Sequence, residues 1–164
     1  MFQLDESFTA LDKPSFYKEL HTQTEHLLDG ERDMIANLAN VASLLYHSFA
    51  QVNWSGFYLW KESANELVLG PFHGKPACVR IASGRGVCGA AVERRATVLV
   101  EDVEAFPGHI ACDAASRSEI VIPLLHNGAL LGVLDIDSPV YSRFDDDDKQ
   151  GLERLVEIVV ASFA

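Results

Sequence analysis

Apolar positions in the first third of the chain recur at three- and four-residue spacing. Phe16, Leu20, Leu27 and Leu28 predict a helix that opens at Asp12-Lys13-Pro14 and ends at Asp29-Gly30. Proline suits the first turn, where its missing N–H costs nothing, and glycine suits the end. A second helix is predicted from Glu31 to Phe49, with Ile35, Leu38, Ala42, Leu45 and Phe49 on one face. Residues 1–11 read as a flexible leader.

The period then shortens. Asn53 to Trp60 is aromatic and short, as a strand should be. Further strands are predicted at Leu67–Leu69, Cys78–Ile81, Thr97–Val100, Glu119–Leu125 and Ala129–Ile136. A glycine turn at Gly84-Arg85-Gly86 leads into a short helix of small residues ending near Arg94, and residues 101–118 form a loop or short helix. Asn127-Gly128 marks a tight hairpin, because both of its central residues need positive φ. Four aspartates, Asp145 to Asp148, match the positive end of a last helix whose inner face is Leu152, Leu155, Val156, Val159, Val160 and Phe163. This order predicts a single α+β domain over 1–164. Its sheet is central and mainly antiparallel, with N- and C-terminal helices packed on one face and the cysteine-bearing loops on the other.

The hairpin has a chemical consequence. Glu119 lies near its start and Asp135 and Asp137 near its end, and those ends lie side by side in an antiparallel pair. Asp135 and Asp137 are two residues apart, so they share a face. Three carboxylates therefore converge at one end of the sheet, beside the loop that holds Cys112. Clustered carboxyls raise one another's pKa, so one can stay protonated and donate to an oxygen. Solvated strand termination is the plainer reading of the same residues. Trp54 and Tyr58 also share a face, either as core or as an aromatic wall for a small apolar group.

Composition narrows the picture. The chain has 164 residues and 48% hydrophobic content, enough for one core. Its net charge is −11, which argues against nucleic-acid or anionic-membrane partners. No secretory signal and no membrane-length apolar run is visible, and a cytoplasmic protein is expected. Three cysteines, Cys78, Cys88 and Cys112, are an odd number that does not read as a stapling framework. They are inert core thiols, metal ligands or catalytic thiols. Cys112 lies among glycine, alanine and serine rather than on an apolar face, and a helix starting near it would favour its thiolate. Cys78 and Cys88, taken singly, read as structural. His73, His109 and His126 fit no standard ligand spacing, so no metal is expected. Gly84-x-Gly86-x-x-Gly89 matches a dinucleotide-binding pattern, but that pattern needs a parallel βαβ unit and the reading here is antiparallel.

Taken together, these stretches resemble a GAF domain, and nearly the whole chain resembles its free methionine-(R)-sulfoxide reductase branch. The resemblance rests on Asn53-Trp54-Ser55-Gly56-Phe57-Tyr58, Gly70 to Cys78, Gly84-Arg85-Gly86-Val87-Cys88-Gly89, Gly108-His109-Ile110-Ala111-Cys112-Asp113, Glu119 and Leu134-Asp135-Ile136-Asp137-Ser138. His73 departs from it, standing where glutamine is expected. The resemblance implies reduction of free L-methionine-(R)-sulfoxide without a bound cofactor. Cys112 would be the nucleophile, forming a sulfenic acid that Cys78 resolves to a disulfide, with Cys88 assisting or replacing Cys78; thioredoxin would reduce the product. Glu119 and Asp137 would protonate the sulfoxide oxygen, Asp135 would hold the ammonium, and Trp54 and Tyr58 would enclose the methyl group. The resemblance also implies a homodimer. The rival reading is a small-ligand-sensing GAF module without catalysis. Against it, the Asn-Lys pair of the cyclic-nucleotide motif is absent, and no effector domain is expected after Ala164.

Overall fold

The computed structural model describes Gln3 and residues 6–164. Six strands form one antiparallel sheet: β1 Trp54–Lys61, β2 Glu66–Gly74, β3 Arg80–Ala82, β4 Val98–Val100, β5 Ser118–His126 and β6 Ala129–Ser138. Their order across the sheet is β3-β2-β1-β6-β5-β4. The helices are α1 Lys13–Leu28, α2 Met34–Ser48, α3 Gly86–Arg94 and α4 Asp146–Phe163. Among the described residues, no helix is long and apolar enough to cross a membrane.

Side-chain alternation divides the sheet into two faces. Phe57, Ile120, Ile122, Leu124, Leu134 and Ile136 pack against the buried faces of the long helices. Trp54, Tyr58, Val121 and Val133 point the other way, toward α3. The long helices thus share one face, as predicted, although chiefly α2 and α4 touch the strands while α1 lies on α4.

The helix ends follow from their caps. Asp12 accepts the Ser15 N–H at 2.9 Å and Asp33 accepts the Ala36 N–H at 2.8 Å. The Asp33 cap starts the second helix at Met34, later than the predicted Glu31, and Ile35 in its first turn is 48% exposed rather than buried with the predicted inner face. At α4, Asp145 and Asp148 form a reciprocal capping box. Asp148 also accepts the Tyr17 hydroxyl at 2.8 Å and the Lys13 ammonium at 2.7 Å, which ties the start of α4 to α1.

Three further expectations change. Within the predicted leader, residues 1, 2, 4 and 5 lie outside the described residues. Glu6–Ala10, however, forms a 3₁₀ helix that buries Phe8 against Phe16, with ring centroids 5.3 Å apart. Cys78 does not start a strand but precedes β3 in a loop, because the β2–β3 register begins only at Val68 and Arg80. No helix begins near Cys112; the chain there is loop, with a 3₁₀ turn only at Val103–Ala105. The β5–β6 hairpin turns at Asn127 and Gly128, whose φ values are +49° and +78° as the turn requires.

Candidate active site

The site is built by register. Trp54 on β1 lies opposite Asp137 on β6, and Asp137 lies opposite Glu119 on β5. One step along, Gly56 faces Asp135 and Asp135 faces Val121. Two successive ranks across three strands thus carry the three carboxyls and the indole on one face. Gly56 is needed for the close approach: a Cβ there would lie 2.7 Å from the Trp54 ring and would clash with Phe72. Without it, Trp54 stacks on Phe72 at 5.3 Å and on Tyr58 at 5.8 Å.

The aromatic pair also holds the loop that carries Cys78. The Trp54 indole N–H donates to the Lys75 carbonyl at 3.1 Å, and the Tyr58 hydroxyl donates to the Cys78 carbonyl at 3.0 Å. A second anchor holds the Cys112 loop. The Asn53 amide donates to Asp113 at 3.1 Å and to Ser116 at 3.2 Å, while the Lys75 ammonium lies 3.8 Å from the other Asp113 oxygen. The two loops meet in a disulfide between Cys78 and Cys112, with Cα atoms 5.7 Å apart.

Beneath the disulfide is a pocket enclosing about 40 Å³. Trp54, Tyr58, Cys88, Cys112, Glu119, Asp135 and Asp137 all line it, together with Lys75, Arg85, His109, Asp113 and Ser116. Of the predicted site residues only Cys78 is outside the lining, bonded to Cys112 at its edge. Cys88 is a free thiol on the buried face of α3.

Electrostatically the pocket is unusual. Burial pushes the Glu119, Asp135 and Asp137 carboxyls well above the usual carboxylate range. Each is raised further by a neighbour: Glu119 by Asp137, Asp135 by Glu119, and Asp137 by Asp135 and Asp113. One oxygen of Asp135 is buried without a hydrogen-bond partner. Burial likewise pushes the Cys88 thiol up, and the three carboxyls add to it. The thiolate form of Cys88 is thereby disfavoured. Ligand atoms of Cys88, Glu119 and Asp135 lie within 4.8 Å of one another, a donor set that would accept a small cation or an ammonium group.

The residues that sequence reasoning passed over are the fasteners. Asn53, Asp113 and Ser116 are short polar side chains whose pairing across about sixty residues leaves no local periodicity to read. The sequence gives His109 no partner, because its contact with Glu119 depends on how the loop folds back over β5.

The GAF domain family model matches residues 23–163. The free methionine-R-sulfoxide reductase of Escherichia coli (strain K12) is 53% identical over 146 residues, covering 89% of this chain and 87% of that protein. The protein of the same name from Saccharomyces cerevisiae is 44% identical over 155 residues, covering 91% and 86%. The X-ray structure of free methionine-R-sulfoxide reductase from Neisseria meningitidis in complex with its substrate superposes with a TM-score of 0.94 at 47% identity, covering 99% of this chain and 96% of that one. The chain belongs to the GAF domain family, in the branch that contains the free methionine-R-sulfoxide reductases.

Proposed function

We propose that this protein reduces free L-methionine-(R)-sulfoxide to L-methionine through a thiol–disulfide cycle. The observation that carries the reading is the Cys78–Cys112 disulfide set directly over a pocket of buried, protonatable carboxyls and stacked aromatic rings.

In the reduced protein the Cys112 thiolate attacks the sulfoxide sulfur. Glu119 or Asp137, each held protonated by burial, donates to the oxygen, which otherwise leaves poorly. The oxygen passes to Cys112 as a sulfenic acid and methionine departs. The Cys78 thiol then displaces that hydroxyl as water and closes the disulfide. In sum, one sulfoxide oxygen and two thiol protons become water, and two thiols become one disulfide. Asp135, with its unpaired oxygen, holds the substrate ammonium. Trp54 and Tyr58 enclose the methyl group. A peptide-bound substrate would bring no ammonium to Asp135 and would leave that buried group unmatched, so free amino acid is preferred.

Thioredoxin is the proposed reductant, acting by exchange at the disulfide. No bound cofactor takes part. The cycle fits a reducing cytoplasm, and a homodimer is the proposed assembly, checked by light scattering.

The test is a single turnover of fully reduced protein with each epimer separately. About one methionine per chain from the (R) epimer alone, with loss of two thiols, is expected. No methionine from either epimer would refute the reading and favour ligand sensing; a Cys112→Ser protein that still turns over would refute the nucleophile.

A further inference from the structure

The proposed reaction gives no part to His109, an imidazole in the lining of the pocket. His109 stands three residues before Cys112, and its Nε2 lies 3.4 Å from Oε2 of Glu119. Both side chains are largely enclosed, at 14% and 7% exposure. The backbone N–H of His109 donates to the Phe106 carbonyl at 3.2 Å, and the ring lies against Glu119 on β5. Among the described residues, no other acidic side chain forms an ion pair with this imidazole.

The surroundings define what this contact can do. Glu119 faces Asp135 and Asp137 from β6 and Cys88 from α3, and the pocket is also lined by Tyr58 of β1, by Asp113 of the Cys112 loop, and by Lys75 and Arg85. Lys75 is drawn toward Asp113. Burial lowers the basicity of His109 and raises the carboxyl of Glu119, so both are neutral at rest. The resting contact is a carboxylic acid beside an imidazole. Once Glu119 has given up its proton it becomes an anion beside two further carboxyls, a costly state for a buried group. Of the groups named, His109 is placed to take up positive charge directly against it.

We propose that His109 is a positioning residue for Glu119: its imidazole holds the carboxyl toward the sulfoxide oxygen and restores its proton after each transfer. The inference rests on the proposed reductase reading and deepens it. The proton balance closes. The proton lost when Cys112 becomes a thiolate is taken up by His109. Glu119 gives its own proton to the sulfoxide oxygen, and His109 then passes the held proton to Glu119. The second proton of the departing water comes from the Cys78 thiol. His109 and Glu119 end as they began. The same contact links the nucleophile's loop to the strand of the acid, so the two are brought to the substrate together.

The test measures methionine release in single turnovers of the reduced full-length protein across about pH 5 to 9. It compares the natural sequence with His109→Ala, His109→Gln, Glu119→Gln and the His109→Ala/Glu119→Gln double variant. His109→Ala is expected to slow release about ten- to a hundredfold, within the usual range for a proton-transfer partner, while half-saturation changes little. Added free imidazole should restore His109→Ala in a saturable, pH-dependent way. His109→Gln should retain the loop contact yet lose the pH dependence. In the Glu119→Gln background, His109→Ala should cost almost nothing more, because the two residues act as one unit. The proposal is overturned if His109→Ala keeps the natural rate and pH profile, if His109→Gln keeps the natural pH profile, or if the His109→Ala penalty is the same without Glu119. A natural protein that releases no methionine overturns the reductase reading itself, and that arm alone distinguishes the two failures.

Discussion

Closing the Cys78–Cys112 bond should change the stability of the whole domain, by an amount set by the chain it encloses. The two cysteines are 34 residues apart in sequence, and the enclosed segment includes β3, α3 and β4. Loop-closure entropy for a ring of that length removes about 3.8 kcal/mol of freedom from the unfolded chain at 25 °C. The folded state loses little on closure, because both loops are already pinned: Cys78 by the Tyr58 hydroxyl and the Cys112 loop by Asn53. Oxidised protein should thus be about 3–4 kcal/mol more stable than reduced protein. At a urea m-value of about 2 kcal/mol/M this moves the midpoint by about 2 M. The assay is urea unfolding of the oxidised and fully reduced forms, with each m-value fitted separately because the cross-linked chain unfolds to a more compact ensemble. Cys78→Ser should abolish the difference, whereas Cys88→Ala should keep it. A difference below about 1 kcal/mol would refute the entropic reasoning. A redox-dependent shift that survives Cys78→Ser would show that Cys112 pairs elsewhere, with Cys88 the remaining partner.

Three further outcomes follow from particular contacts. Asp148→Ala removes the capping box together with the Tyr17 and Lys13 partners; thermal unfolding should show a loss of about 2–4 kcal/mol, well beyond a surface change. Tyr58→Phe removes the hydrogen bond to the Cys78 carbonyl; it should cost about 1 kcal/mol, leave methionine release nearly intact and slow disulfide closure, read by quenching and thiol counting. Asp135 has a folded-state pKa raised by burial and by Glu119, so folded protein binds its proton more tightly than unfolded protein does. Stability from this group is present below its ordinary range and lost as pH rises through the folded value, so Asp135→Asn should gain about 1–3 kcal/mol at neutral pH relative to the natural chain, and nothing in acid. A pH-independent difference between the two proteins would contradict the raised pKa.

How much of this could be read in advance depends on the range over which each feature acts. The α+β architecture, the hairpin at Asn127-Gly128 and the inner face of the last helix are written in local periodicity, and the structure has them. The convergence of Glu119, Asp135 and Asp137 was legible because one hairpin makes spatial neighbours of residues distant in sequence, and the register pairs Glu119 with Asp137. The ends of elements were less legible. The second helix begins after Asp33 rather than at Glu31, since the Asp33 side chain reaches the Ala36 N–H, and Ile35 in its first turn is exposed. The segments around the cysteines were least legible. Cys78 and Cys112 lie in loops whose shapes are set by Trp54, Tyr58 and Asn53 from another part of the chain. Neither apolar spacing nor turn chemistry signals such tertiary fasteners.

The same alternation that builds the core also explains why the site is where it is. On β5 and β6 the residues facing the long helices are Ile120, Ile122, Leu124, Leu134 and Ile136, all buried and apolar. The face toward α3 has Val121 and Val133 over the middle of the strands but switches to Glu119, Asp135 and Asp137 toward one end. Had these three been apolar, the second core would simply continue to the sheet's edge beneath the Cys112 loop. Burying them instead leaves one Asp135 oxygen unpartnered and pushes three carboxyls toward their neutral forms. That is an unfavourable arrangement for folding alone. It becomes intelligible if a positively charged ligand group and a proton-accepting oxygen fill the pocket, since the first would satisfy the unpartnered oxygen and the second would use the retained protons. The large apolar face that the long helices cover can offset that local cost, because it is chemically separate from the pocket and shares only the backbone of the sheet.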